Sequence, residues 1–113
     1  MECIFCRIAN KEIPSKVVFE NETILAFRDI DPKAPVHILV IPKEHIGGLN
    51  DITDKHLRVL GDIQQVIKVL AEKESICGSG YRVVLNCGKD AGQAVEHIHY
   101  HLMGGRKFNW PPG

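Results

Sequence analysis

Five residues near the C-terminus, His97-Ile98-His99-Tyr100-His101, constrain this chain more than any other stretch. In a strand, alternate side chains share a face, so three imidazoles line one side while Ile98, Tyr100 and Leu102 cover the other. Such a segment needs a core beneath it, and its ring nitrogens need partners above it. A sheet packed on one face meets both demands. Other runs have strand character: residues 17–20 and 23–28 around a turn at Glu20-Asn21-Glu22, then 36–41 ending at Pro42, 81–86, and 95–103 with the histidines.

Between the third and fourth runs the period changes. Leu57, Leu60, Ile63, Val66, Ile67 and Leu70 recur at helical spacing, opposite Lys55, Arg58, Asp62, Gln65, Lys68 and Glu72. The pattern predicts one amphipathic helix, capped by Thr53 or Asp54 and packed on a sheet. Residues 4–9 form a short helical turn on this reading. Pro32 and Pro35 make 29–35 a loop, and Gly78-Ser79-Gly80 breaks the chain before the fourth strand. Strands before and after one long helix, joined by hairpin-length connections, indicate an α+β fold with a mainly antiparallel sheet. With 113 residues and no repeat or linker, residues 1–113 read as one domain.

Charge excludes some partners. Fourteen Lys and Arg balance fourteen Asp and Glu, so the chain lacks the basic excess of a nucleic acid polymer or anionic membrane binder. No run approaches the ~18 apolar residues of a membrane span, and the first residues lack the basic and apolar regions of a signal peptide. The expected location is the cytoplasm. There the three pairings open to four cysteines give way to free thiols, and Cys77 and Cys87 read as small buried apolar residues.

Three histidines on one face admit three readings: a solvated surface, a metal site, or nucleophilic and acid–base chemistry near neutral pH. The residues before them help to separate these. Asn86 ends a strand, and Gly88 to Ala94 form a glycine-containing loop whose backbone N–H groups can converge on an anion. A phosphate nest beside imidazoles points to phosphoryl chemistry, with the backbone donors stabilising charge where a metal otherwise would. No magnesium-binding carboxylate cluster is visible, and no catalytic metal is expected.

The stretch Gln93-Ala94-Val95-Glu96-His97-Ile98-His99-Tyr100-His101-Leu102 resembles the signature of the histidine triad (HIT) family, His-φ-His-φ-His-φ-φ with φ hydrophobic. Met103-Gly104-Gly105-Arg106 and Trp110-Pro111-Pro112-Gly113 resemble its Hint branch. So do Phe27-Arg28-Asp29-Ile30 and the run from Ala34 to Lys43. The resemblance implies a HIT domain with a five-stranded, mainly antiparallel sheet, one long helix and a short N-terminal helix. It implies a nucleoside phosphoramidate hydrolase acting on purine nucleotides. His99 is then the nucleophile that attacks the α-phosphorus, and His101 and His37 hold or protonate the phosphate and leaving group. Asp29 and Ile30 match ribose positions, Asn86 a ribose or phosphate contact, and Gly92, Gln93 and Ala94 the phosphate loop. Ile4, Phe5, Phe27 and Leu39 supply an apolar slot for the purine. The resemblance also implies a homodimer, with Trp110 and the tail reaching toward the partner's site. Ala94 departs from the Ser common in this branch, a missing hydroxyl that costs about 0.5–1.5 kcal/mol.

Local readings remain beside these. Asp29 also suits an Asx-turn before Pro32, His45 suits a loop, and His56 sits on the polar side of the helix start. Cys3 and Cys6 have the C-x-x-C spacing of zinc ligands but fill only two of four positions. Some triad proteins look similar here, with two Cys and two His around a structural zinc, which implies His45 and His97 as the remaining ligands. A regulatory nucleotide-binding module with little turnover is the rival reading.

Overall fold

The computed structural model describes residues 3–113. Helix α1 (Ile4–Ala9) precedes strands β1 (Val17–Glu20), β2 (Ile24–Arg28) and β3 (Val36–Pro42). Two single 3₁₀ turns, Leu49–Asp51 and Asp54–His56, then lead into α2 (Leu57–Lys73), followed by β4 (Tyr81–Val84) and β5 (Tyr100–Gly104). The strands form one sheet in the order β1-β2-β3-β5-β4, each neighbouring pair antiparallel. This is the α+β arrangement expected from the patterning, with the sheet covered on both faces.

Strand alternation divides the core in two. Ile24, Ala26, Ile38, Val40, Ile98 and Leu102 pack beneath Leu60, Ile63, Val66, Ile67 and Leu70 of α2. The opposite face buries Leu25, Phe27, Leu39 and Ile41 against Cys3, Phe5 and Ile8 of the α1 segment. Leu57, expected in the stripe of α2, is 57% exposed, so burial begins at Leu60. No helix among the described residues is long and apolar enough to cross a membrane.

Three expectations need correction. The last strand was read from residue 95, but β5 begins at Tyr100. The β3–β5 register pairs Val40 with Tyr100, so Pro42 would stand opposite Ile98. Proline has no N–H to offer a ladder, and the Ile98 N–H turns instead to the Ile46 carbonyl at 2.7 Å. His97 and His99 therefore lie in an extended approach to the strand. Side-chain alternation persists there, because Ile98 enters the α2 core while Phe5 packs against His97 and His99 on the other side.

His56 is buried rather than solvated. Its Nδ1 accepts the Thr53 N–H at 2.9 Å, and its Nε2 lies 3.3 Å from Glu44 Oε2, so the imidazole caps the start of the helix. Cys77 is exposed and Cys87 half-buried, so neither is the buried apolar residue expected; both lie in the irregular segments that follow α2 and β4.

Candidate active site and metal centre

His97, His99, His101 and His37 collect on the α1 side of the sheet. Register brings this about: His101 is paired with Leu39, two residues beyond His37 on the same face of β3. The hydrogen bonds then dictate each tautomer. His99 Nδ1 lies 2.7 Å from the His97 carbonyl, an acceptor only, so Nδ1 carries the proton and Nε2 keeps its lone pair. The Lys33 N–H donates to His37 Nδ1 at 3.0 Å, which leaves the proton of His37 on Nε2. That Nε2–H donates to His101 Nδ1 at 2.9 Å, so His101 carries its own proton on Nε2. The face therefore presents one ring with an open lone pair and, 5.1 Å away between centroids, one with an N–H donor.

Burial favours the neutral forms of His101 and His37. Burial, then the charges that His99 and His37 would carry, pulls His101 down to about 4. Burial also lowers His37, with the Asp29 carboxylate opposing. A neutral imidazole can attack without first losing a proton.

Asp29 makes the turn that its local sequence suggests. Its Oδ1 accepts the Asp31 N–H at 2.8 Å in an Asx-turn, while Oδ2 lies 3.4 Å from His37 Nε2. Ile30 is fully exposed at the rim of a groove of about 690 Å³ that Asp29 and His37 also line. Phe5, Phe27 and Leu39 are buried, whereas Ile4 is exposed beside them. Asn86 lies two residues beyond Val84, the partner of His101, on the path leading out of the sheet.

In the glycine loop, Gly92 and Gln93 spend their N–H groups internally, on the carbonyls of Lys89 and Gly88. The Gln93 side chain accepts from Gly88 N and donates to the carbonyls of Gly47 and Val95. It braces the loop against the segment after β3. The Ala94 N–H has no acceptor among the described residues, which leaves it available to an anion. Trp110 is 81% exposed, its ring 6.0 Å from the Arg82 guanidinium.

Two side-chain clusters have the composition of metal sites, and their hydrogen bonding separates them. The ligand atoms of Cys3, Cys6, His45 and His97 all lie within 4.8 Å of one another. A tetrahedral zinc with ~2.3 Å bonds to sulfur and ~2.0 Å bonds to nitrogen sets S and N about 3.5 Å apart. The S–N separations here are 3.4 Å for Cys3–His97, 3.5 Å for Cys6–His97 and 3.3 Å for Cys6–His45. His97 Nε2 donates to the Pro42 carbonyl at 2.8 Å, which turns the lone pair of Nδ1 toward the thiols, as a metal-bound imidazole requires. Burial, with Cys3 next, pushes the Cys6 thiol up to about 11, so a cation is what makes a thiolate pair favourable here. The four residues fit zinc.

Asp29, His37 and His101 also come together. A metal on His37 Nε2 would force a proton onto Nδ1, against the Lys33 N–H that Nδ1 accepts. That cluster fits a hydrogen-bond relay and not a cation.

Pattern reading missed the groove wall formed by Lys16 and Arg28 and the bracing role of Gln93. Arg28, ion-paired to Glu74, and Gln93, bonded to Gly47, depend on partners more than 40 residues distant, which no local spacing encodes.

Residues 2–109 match the family described as scavenger mRNA decapping enzyme C-term binding. The chain is 54% identical over 112 residues to the 14 kDa zinc-binding protein of Zea mays, covering 97% of this chain and 87% of that one. It is 50% identical over 112 residues to the adenylylsulfatase HINT1 of Arabidopsis thaliana, covering 97% and 76%. The crystal structure of a HIT family hydrolase from Legionella pneumophila Philadelphia 1 superimposes with a TM-score of 0.97 at 52% identity, covering 99% of this chain and all of that one.

Proposed function

This chain belongs to the histidine triad (HIT) family, and we propose that it is a nucleotide hydrolase that cleaves purine nucleoside 5′-phosphoramidates or related acyl-nucleotides through a nucleotidyl-histidine intermediate. The observation that carries this reading is the 2.7 Å contact between His99 Nδ1 and the His97 carbonyl, which leaves His99 Nε2 as an unprotonated nucleophile. In the first step Nε2 attacks the α-phosphorus, a P–N bond to His99 forms, and the bond to the leaving nitrogen breaks. In the second step water displaces His99. One water is consumed overall: one hydrogen ends on the released amine, and the OH remains on the nucleoside monophosphate. The His101 Nε2–H, oriented by His37, serves as donor to the phosphoryl oxygens or the leaving nitrogen. The Ala94 N–H adds a backbone donor to the same charge.

Zinc held by Cys3, Cys6, His45 and His97 supplies a structural cross-link. The hydrolase names and the zinc-binding name among the relatives favour both parts of this reading. A homodimer belongs to it too, because β4 is a sheet edge with Tyr81 and Val83 exposed. Sedimentation of a monomer at micromolar concentration would remove that part.

The test is release of AMP from adenosine 5′-phosphoramidate by wild type and His99→Ala. Turnover that drops at least roughly a thousandfold in the variant is the expected result. Equal turnover would show that His99 is not the nucleophile. Absence of turnover in both, with AMP still bound, would favour a regulatory nucleotide-binding module, the reading toward which the missing hydroxyl at Ala94 leans.

A further inference from the structure

The chain leaves β5 through Gly104-Gly105-Arg106 and passes against the loop that precedes β3. Gly104 pairs with Val36. Gly105, at φ +90°, lies so close to Pro35 that a Cβ would stand 2.9 Å from Pro35 Cβ. Arg106 then reaches across, and its Nε donates to the Lys33 carbonyl at 3.0 Å. The guanidinium is itself held. It lies over the Phe108 ring, 4.2 Å from the centroid, and its Nη1 donates to the Lys107 carbonyl at 3.1 Å.

The loop that Arg106 grips governs the histidine relay. Pro32 and Pro35 interrupt residues 30–35, and none of these residues makes a backbone–backbone hydrogen bond among the described residues. Side chains hold the loop instead. Asp29 Oδ1 accepts the Asp31 N–H at 2.8 Å, Lys33 Nζ donates to the Asp31 carbonyl at 3.0 Å, and Arg106 Nε donates to the Lys33 carbonyl. The first two are ties within the loop, and that of Arg106 reaches it from the end of β5.

The Lys33 N–H decides where two protons sit. It donates to His37 Nδ1, which places the His37 proton on Nε2 and, through the 2.9 Å bond to His101 Nδ1, the His101 proton on its own Nε2. With the Lys33 peptide turned away, His37 Nδ1 would be free to carry the proton. His37 Nε2 would then accept from His101 Nδ1, and His101 would lose its Nε2–H. The two tautomers change as a pair, with no net uptake of a proton.

We propose that Arg106 is a positioning residue for the relay: its bond to the Lys33 carbonyl keeps the Lys33 N–H on His37, and so keeps a proton on His101 Nε2. The bearing on catalysis rests on the hydrolase reading, whereas the tautomers are read without substrate.

The test is long-range proton–nitrogen correlation NMR of the imidazoles in full-length protein labelled with nitrogen-15, at about pH 7.5, above the ordinary histidine range. The protonated and unprotonated nitrogens of a neutral ring resonate far apart, so each tautomer is read directly. Wild type is expected to show His37 and His101 each as the single Nε2–H tautomer. Arg106→Met, which keeps the length of the side chain and removes its donors, should move both nitrogens of both rings toward intermediate values. In the same variant kcat for release of AMP from adenosine 5′-phosphoramidate should fall about two- to tenfold, the range one net hydrogen bond supplies, with AMP binding unchanged. Lys107→Met removes the same charge from a side chain that makes no bond among the described residues, and should leave tautomers and kcat as in wild type. Unchanged tautomers in Arg106→Met overturn the proposal. So does an equal change in Lys107→Met, or a change of tautomers without a fall in kcat. A wild type that binds AMP but releases none from the phosphoramidate removes the hydrolase and leaves the tautomers to decide the role of Arg106.

Discussion

His101 shows how a single side chain ties the chemistry to stability. It accepts from His37, sits 5.1 Å from His99 between centroids, and is held near 4 chiefly by burial. An unfolded histidine titrates near ~6.5. Above that value both states are neutral and the ring adds no pH dependence. Between about 6.5 and 4 the unfolded chain takes up a proton that the folded chain refuses, so stability is full at neutral pH and falls as pH drops through that window. The loss is on the order of 3 kcal/mol at most. His37, lowered by burial, contributes in the same direction. Urea unfolding of wild type at pH 7 and pH 4.5 should therefore show a larger loss than His101→Gln, by about 1–3 kcal/mol. Acid release of a metal affects both proteins, so the difference isolates the ring. Equal losses would show that His101 is not held neutral by the fold. The identity of this residue was legible in the alternation of His97 to His101, but its tautomer was not, because His37, on another strand and itself fixed by the Lys33 N–H, decides it.

Elements are delimited by backbone chemistry at their ends. The β3–β5 ladder stops where Pro42 has no N–H to give, and the released segment carries His97 and His99 with both ring nitrogens of His97 engaged. The helix pattern of 57–70 was readable, yet its first turn is organised by His56, whose partner Glu44 precedes the intervening loop. At the far end of β5 the limit is space. A Cβ on Gly104 would stand 2.7 Å from Ile76 Cδ1 and 3.0 Å from Ile76 Cβ, and Ile76 is itself buried. Gly104→Ala should cost about 1–3 kcal/mol by overpacking between β5 and the segment after α2. Gly78→Ala is the control, because nothing lies within 4 Å of its Cβ position, and it should stay within about 0.5 kcal/mol of wild type. Thermal unfolding of the two variants would check this, and indistinguishable midpoints would refute the close approach.

Across the whole molecule, the Cys3, Cys6, His45 and His97 cluster joins three stretches far apart in sequence: the start of α1, the loop after β3 and the approach to β5. The same α1 segment carries Phe5 against His99 at 5.1 Å between centroids. Purified protein should contain about one zinc per chain, and the Cys3→Ser, Cys6→Ser double variant should lose it and melt at least about 10 °C lower. Metal-free protein, prepared without chelator and with both thiols freely titratable, would remove the metal. Much of this architecture was determined locally. Period-two and helical patterns, proline and glycine punctuation and the spacing of His97, His99 and His101 are properties of neighbouring residues, so the strands, the long helix and the histidine face could be read from them. The tertiary structure alone decided which donor faces which acceptor. His37 with His101, Pro42 with His97, Gln93 with Gly47 and Arg28 with Glu74 meet only through strand register and tertiary packing. A hydrogen bond depends on distance and angle in space, and sequence separation carries neither.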